Sequence, residues 1–467
     1  MMGGPSALIP LLVSGLTGRF PFAQHARGAL GVTCYDGREV DFAQGDAMAG
    51  KADNFTAMQS GHATARSGIT RRGLLAGALL GVLGASGCAA ENPTGSWSTG
   101  SGTIGADLAV VTDSEKPARV TVMMVGDMLV HPGVWMSGER DDGTRNYDHL
   151  FANLADDFSG TDIAMVNQET ILGGAEHGLS GYPTFNSPQE LGDAEVAVGV
   201  DVSISATNHA LDRGFAGITW ALEYWRTKHP EILVPGIADT QEKADEIPML
   251  ERNGVKVAIL NYTESTNGIP IPSDAPFCVK TLSEADFASD MTRAHEAGAE
   301  FIVVCPHWGT EYVYKPTEEQ IRWASELVEA GADVIIGTHP HVLEPVEVLD
   351  GPDGRQVPVF WSLGNYISWQ AEKPRMVGGM AKVTLERRGG ECRVVDYSLT
   401  PLVSHLALSP AMSVYRLANY TEELAAQNAV RSMPGCSNFT VAYCRELVAQ
   451  ILGEGYDAEA CQLAVTL

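Results

Sequence analysis

From Val120 onward, short β-branched apolar runs alternate with longer segments of helical period. The strand-length runs are Val120–Val125, Ile163–Val166, Val202–Ser205, Val255–Asn261, Phe301–Cys305, Val334–Ile336 and Val359–Trp361. Between them lie amphipathic stretches such as Gly214–Lys228, Glu284–Ala297 and Thr317–Ala330. This alternation predicts an α/β fold whose helices cover the sheet faces. Met380–Glu386 and Cys392–Leu399, joined by Arg387-Arg388-Gly389-Gly390, read as a hairpin. After Pro401 the pattern turns helical (Val414–Asn428, Asn438–Leu452), which predicts a short helical C-terminal tail over 403–467.

The first part of the chain follows another grammar. Residues 1–57 show no sustained period and read as a leader outside the fold, either disordered or preceding a true start at Met58. Residues 58–88 carry an export signature. Arg71 and Arg72 precede an uncharged run, Leu74 to Leu83, that ends in Ala85-Ser86-Gly87-Cys88. The run is short for a bilayer span and suits a signal-peptide core. Paired Arg resembles a twin-arginine signal, and the small residues before Cys88 resemble a lipoprotein cleavage site, with Ala85 standing where Leu is usual. Residues 89–117, rich in Gly, Ser, Thr and Pro, read as a flexible tether. The expected product is exported and anchored on the extracytoplasmic face of a membrane, through a lipidated Cys88 or an uncleaved signal.

Composition narrows the partners. With 31 Lys+Arg against 58 Asp+Glu, the net charge of −27 disfavours a nucleic-acid coat. An anionic substrate stays open, because a bound metal inverts the local field. The eight Cys form no CxxC pair, so no zinc knuckle is indicated; three lie late in the chain and would allow one disulfide in an oxidising compartment. Gly-rich phosphate loops are absent.

Chemistry collects at the strand ends. The first run ends in Gly126-Asp127 with His131 following, the second in Asn167-Gln168-Glu169, and the third in Asn208-His209 with Asp212 and Gly214. Later runs end in His307-Trp308-Gly309 with Glu311, in His339-Pro340-His341, and in Ser362-Leu363-Gly364-Asn365. Carboxyl ends of strands are where α/β sheets bind ligands. Carboxylates, a carboxamide and imidazoles form a donor set for Mn, Fe or Zn.

This series, over about residues 118–402, resembles the CapA family of poly-γ-glutamate capsule-biosynthesis proteins, within the calcineurin-like metallophosphoesterase superfamily. The resemblance implies a metallophosphatase-like α/β sandwich of mixed sheets flanked by helices, holding one or two divalent transition metals. It implies Asp127, Glu169, Asn208, His307, His339 and His341 as metal ligands, and His209, oriented by Asp212, as the acid or transition-state group. His131, Asn167, Trp308, Glu311 and Asn365 are expected to contact substrate or brace the ligands. Two departures stand out. The usual Asp-x-His reads Asp127-Met128-Leu129, so His131 reaches the site only if the loop bends back, and Glu169 replaces a bridging Asp. The implied function is synthesis, export or anchoring of poly-γ-glutamate or a similar anionic surface polymer, alongside other capsule-synthesis membrane proteins, through metal-dependent hydrolysis. A non-catalytic polymer-binding subunit is one alternative, and an extracytoplasmic phosphoesterase unrelated to capsule is another.

Overall fold

A computed structural model describes residues 116–407 and 411–467. The leader, the signal segment with Cys88 and nearly all of the tether lie outside the described residues. The strands, in chain order, are β1 (Ala118–Leu129), β2 (Ile163–Asn167), β3 (Val202–Ile204), β4 (Met249–Arg252) and β5 (Val255–Thr263). Next come β6 (Phe301–His307), β7 (Val334–Ile336), β8 (Val346–Asp350), β9 (Gln356–Phe360) and β10 (Asn365–Ser368). The last are β11 (Val377–Arg388), β12 (Glu391–His405), β13 (Ser413–Arg416), β14 (Tyr456–Asp457) and β15 (Gln462–Thr466).

They form two mixed sheets. The first runs β14-β15-β12-β11-β1-β2-β3, with β10 also on β1 and β13 on β12; the second runs β4-β5-β6-β7-β9-β8. Within them β10, β1, β2 and β3 are mutually parallel neighbours, as are β5, β6, β7 and β9. Strand period explains the layering. Val255, Val257 and Ile259 join Val383, Leu385 and Leu399 of the first sheet in one core. The alternate residues Ala258, Leu260 and Tyr262 pack instead beneath the helices Phe287–Glu296 and Glu318–Ala330. The latter helix starts at a capping box between Thr317 and Gln320, and buries Trp323, Ala324, Leu327 and Val328 along one stripe. The α/β fold expected from the alternation, and the sandwich of mixed sheets implied by the family resemblance, are the observed architecture.

Two features differ from expectation. The hairpin is longer than its apolar runs suggest, pairing Arg388 with Glu391 across Gly389-Gly390, both at positive φ. The segment after Pro401 is not simply helical. β12 continues to His405, β13 and β15 pair along it, and among the described residues only Glu422–Gln427 and Val441–Leu452 are α-helical there. Short strands such as Gln462–Thr466 carry too few residues for their period to show; an edge of β12 supplies the pairing that makes them strands. Cys278, Cys305, Cys392, Cys436, Cys444 and Cys461 are all free thiols, so the late disulfide is not formed. No helix among the described residues is long and apolar enough to cross a membrane.

Candidate metal centre

Register brings the strand-end residues together. Asp127 on β1 lies level with Asn167 on β2 and with Asn365 on β10, so three polar side chains stand abreast at one edge. In the facing sheet His307 on β6 is level with Thr263 on β5 and Thr338 after β7. Gly126 is required here. A Cβ on it would lie 1.8 Å from the Gly364 carbonyl oxygen, the atom that accepts the Asp127 N–H at 2.9 Å. The Gly-Asp pair is thus a backbone crossing that delivers a carboxylate.

Two donor groups result. Asp127, Glu169 and His341 form one, and Glu169, His307 and His339 form the other, each with ligand atoms within 4.8 Å of one another. Glu169 belongs to both. Its Oε1 lies 3.7 Å from His307 Nε2 and 3.7 Å from His341 Nε2, and neither of its buried oxygens has a hydrogen-bond partner. His307 Nε2 also sits 2.9 Å from Asn208 Oδ1 and 3.2 Å from His339 Nδ1. Four electron-rich atoms thus converge with too few protons among them. A cation bound among these atoms satisfies that arrangement.

The supporting bonds fix which atoms face inward. His307 Nδ1 is held by Thr338 Oγ1 at 3.0 Å, leaving Nε2 for the cluster. Asn208 donates from Nδ2 to Asn267 Oδ1 at 3.3 Å, which turns its oxygen toward His307. His341 places Nδ1 3.0 Å from Asp127 Oδ2 and 3.1 Å from Asn365 Oδ1. Asn167 donates to Asp127 Oδ1 at 2.8 Å. His339 (φ 103°) and His341 (φ 58°) both lie in left-handed backbone, strain that the surrounding contacts hold in place.

Electrostatics point the same way. Burial, then Asp127, Glu311 and Asp212, hold the Glu169 carboxyl well above the usual range. Burial and neighbouring imidazoles hold His307 well below its ordinary value and push His339 down to about 3, so both present neutral nitrogen. Neutral imidazoles beside crowded carboxylates form a site that lacks positive charge.

His209 lies beside this cluster. Its Nδ1 is 2.7 Å from Asp212 Oδ2, which also accepts the Phe185 N–H at 2.6 Å. The Phe185 ring meets His209 edge-on at 4.8 Å and His131 at 5.1 Å. His131 itself joins neither donor group. Its Nδ1 is 3.1 Å from the Leu129 carbonyl and 3.3 Å from the Trp369 N–H, and burial pushes it down to about 4. The loop does not bend back far enough to replace the missing motif histidine.

Trp308 lies elsewhere, whereas Glu311 stays near enough to act on the Glu169 carboxyl. Strand alternation turns Trp308 away from His307; it stacks on Trp361 and donates to the Trp361 carbonyl at 3.0 Å, inside the core under the helices. Glu311 is exposed, and the carboxylate that braces the His-Trp-Gly turn is Glu264, accepting the Gly309 N–H at 2.7 Å. Four further contributors are not among the candidate residues read from the sequence. They are Thr338, Asn267, Phe185 and Asn261, whose amide bonds Ser205 N, Ala206 N, Ala206 O and Cys305 O at 3.2, 2.6, 3.3 and 2.7 Å. Thr338 was visible inside the Gly-Thr-His-Pro-His run; the others needed the fold.

Fold and cluster together define an α/β-sandwich protein with a carboxylate–imidazole centre at its strand ends. The profile of the bacterial capsule synthesis protein family PGA_cap matches residues 121–370, more than half of the chain, and the chain belongs to that family. It is 29% identical over 247 residues to the PGA biosynthesis protein CapA of Bacillus subtilis, covering 50% of this chain and 57% of that one. It is 27% identical over 266 residues to the capsule biosynthesis protein CapA of Bacillus anthracis, covering 53% and 60%. The chain thus spans less than two thirds of the length of either relative. Among solved structures it aligns with the NAD nucleotidase of Haemophilus influenzae at 14% identity and a TM-score of 0.40, over 72% of this chain and 60% of that one.

Proposed function

We propose that this protein acts in the synthesis, export or anchoring of poly-γ-glutamate or a similar anionic capsule polymer, through a metal-dependent hydrolase site. Membership of the capsule synthesis family supports the pathway. The observation that carries the chemistry is Glu169, a buried carboxylate without hydrogen-bond partners, shared by two carboxylate–imidazole groups. In this reading Asp127, Glu169 and His341 would hold one divalent transition metal, and Glu169, His307, His339 and Asn208 would hold a second. Such a pair supplies Lewis acidity toward an electrophile and an attacking water.

The chain's own groups do the rest. Asp212, accepting from His209 Nδ1, fixes the tautomer and leaves Nε2 to hand a proton to a leaving group or to stabilise charge there. Phe185 packs against the ring and restricts its rotation. Thr338, Asn267 and Asn365 keep ligand atoms aimed inward. The sequence between Thr70 and Cys88 supports export and membrane tethering, which would put this site beside polymer outside the cell.

The test is metal analysis of purified protein together with turnover of bis(p-nitrophenyl) phosphate and of a γ-linked glutamate oligomer by wild type and His209→Ala. Bound transition metal and a loss of turnover of about 10²–10⁴-fold are expected. No metal, or equal rates, would sink the reading. His131 standing outside both donor groups favours a second one, a polymer-binding subunit with an incomplete centre. Oligomer binding that survives both chelation and His209→Ala would establish it.

A further inference from the structure

A cation stands at the edge of this acidic centre. Arg375 lies in the turn Lys373–Met376, and its guanidinium carbon sits 3.6 Å from the centre of the Tyr312 ring. That ring is itself 6.0 Å from His341. A single side chain links Arg375 to the ligands. Asn365 meets His341 Nδ1 through Oδ1 and donates from Nδ2 to the Arg375 carbonyl at 3.2 Å. It also donates to Gln370 Oε1 at 3.2 Å, and Gln370 donates in turn to Tyr312 Oη at 3.2 Å.

The platform is held rather than loose. Tyr312 adopts φ 67°, unfavourable for a side chain of its size, and its N–H donates to the Pro340 carbonyl between the two histidines at 2.8 Å. On the other side Lys373 donates to Asn438 Oδ1 at 3.0 Å and lies over the Tyr443 ring. Strain at Tyr312 and bracing on both flanks hold the guanidinium against a ring that itself adjoins His341. Its ion-pair partner, Glu372 at 3.1 Å, has a side chain 48% exposed, whereas that of Arg375 is 17% exposed. A partner in water is readily exchanged for a better one. A planar guanidinium backed by an aromatic ring offers its edge N–H groups to an oxyanion in a fork.

We infer that Arg375, set on Tyr312, is the specificity-determining residue of the site and binds a carboxylate of the substrate polymer next to the metal-ligating cluster. This rests on the capsule-polymer reading above and adds what the site recognises. It also explains why a chain of net charge −27 keeps an arginine here: a polycarboxylate must find local positive charge.

The experiment is calorimetric titration of the full-length, metal-loaded protein with a γ-linked glutamate decamer, its methyl-esterified counterpart and inorganic phosphate. For Arg375→Ala the Kd for the decamer should rise about tenfold or more, with partial recovery in Arg375→Lys and unchanged metal content. The esterified decamer should bind wild type and Arg375→Ala equally weakly. No decamer binding by wild type, or equal binding by wild type and a metal-replete Arg375→Ala, overturns the assignment. So does an Arg375 dependence seen with phosphate alone. Turnover of bis(p-nitrophenyl) phosphate, which lacks carboxylates, judges the hydrolase reading separately.

Discussion

Glu169→Gln should change the protein in opposite directions with and without metal. In the metal-free protein both Glu169 oxygens are buried and unpartnered, with Asp127 close by. An unsatisfied buried polar group costs about 1–3 kcal/mol, more when ionised, and the amide of nearly the same volume cannot ionise as the pH rises. The stripped variant is therefore expected to match wild type or exceed it by about 1–3 kcal/mol. For a domain of this size that is about 1–2 °C per kcal/mol at the melting point. With metal the balance reverses. Glu169 is common to both donor groups, so losing its charge weakens both. If affinity falls about 100-fold at a fixed metal concentration, up to about 2.7 kcal/mol of ligand-linked stability disappears per site. Differential scanning fluorimetry in EDTA and in a Mn or Zn titration measures both arms. A stripped variant that melts several degrees below wild type would refute the argument, as would a metal-induced shift equal to that of wild type.

Three more outcomes follow from particular contacts. Asn261→Ala removes four buried hydrogen bonds tying the Ser205–Ala206 turn to β6, and should cost about 2–4 kcal/mol, read as a lower urea midpoint at unchanged slope. A loss under about 1 kcal/mol would remove its bridging role. Gly126→Ala drives a methyl into the Gly364 carbonyl and should cost about 3 kcal/mol or more, checked by thermal melting; a neutral effect would mean the strands can separate there. Burial holds Glu195 up at about 8. Because its folded pKa exceeds the unfolded value of about 4.3, the stability present below that pH is lost as pH rises toward the folded pKa. Denaturation of EDTA-treated protein from pH 4.5 to 8.5 should show Glu195→Gln gaining on wild type with rising pH, by on the order of a few kcal/mol at the top; parallel curves would exclude it.

Much of this protein is local information. Val255, Val257 and Ile259 alternating with Ala258, Leu260 and Tyr262 state a two-faced strand before any partner is known. Asp127, Glu169, His307 and His339-Pro340-His341 could be picked out because each follows such a run. The tertiary structure decided which of them meet. That Glu169 is shared, that Trp308 turns into the core, and that His131 stops at the Leu129 carbonyl depend on pairing register and loop path between residues far apart in the chain. So do the partners of Asn261 and the placement of Asn267, Phe185 and Arg375, which belong to no motif. Side-chain period is set by backbone geometry within a few residues and is legible in a sequence. Convergence of side chains is set by packing across two sheets, which no short window of sequence contains.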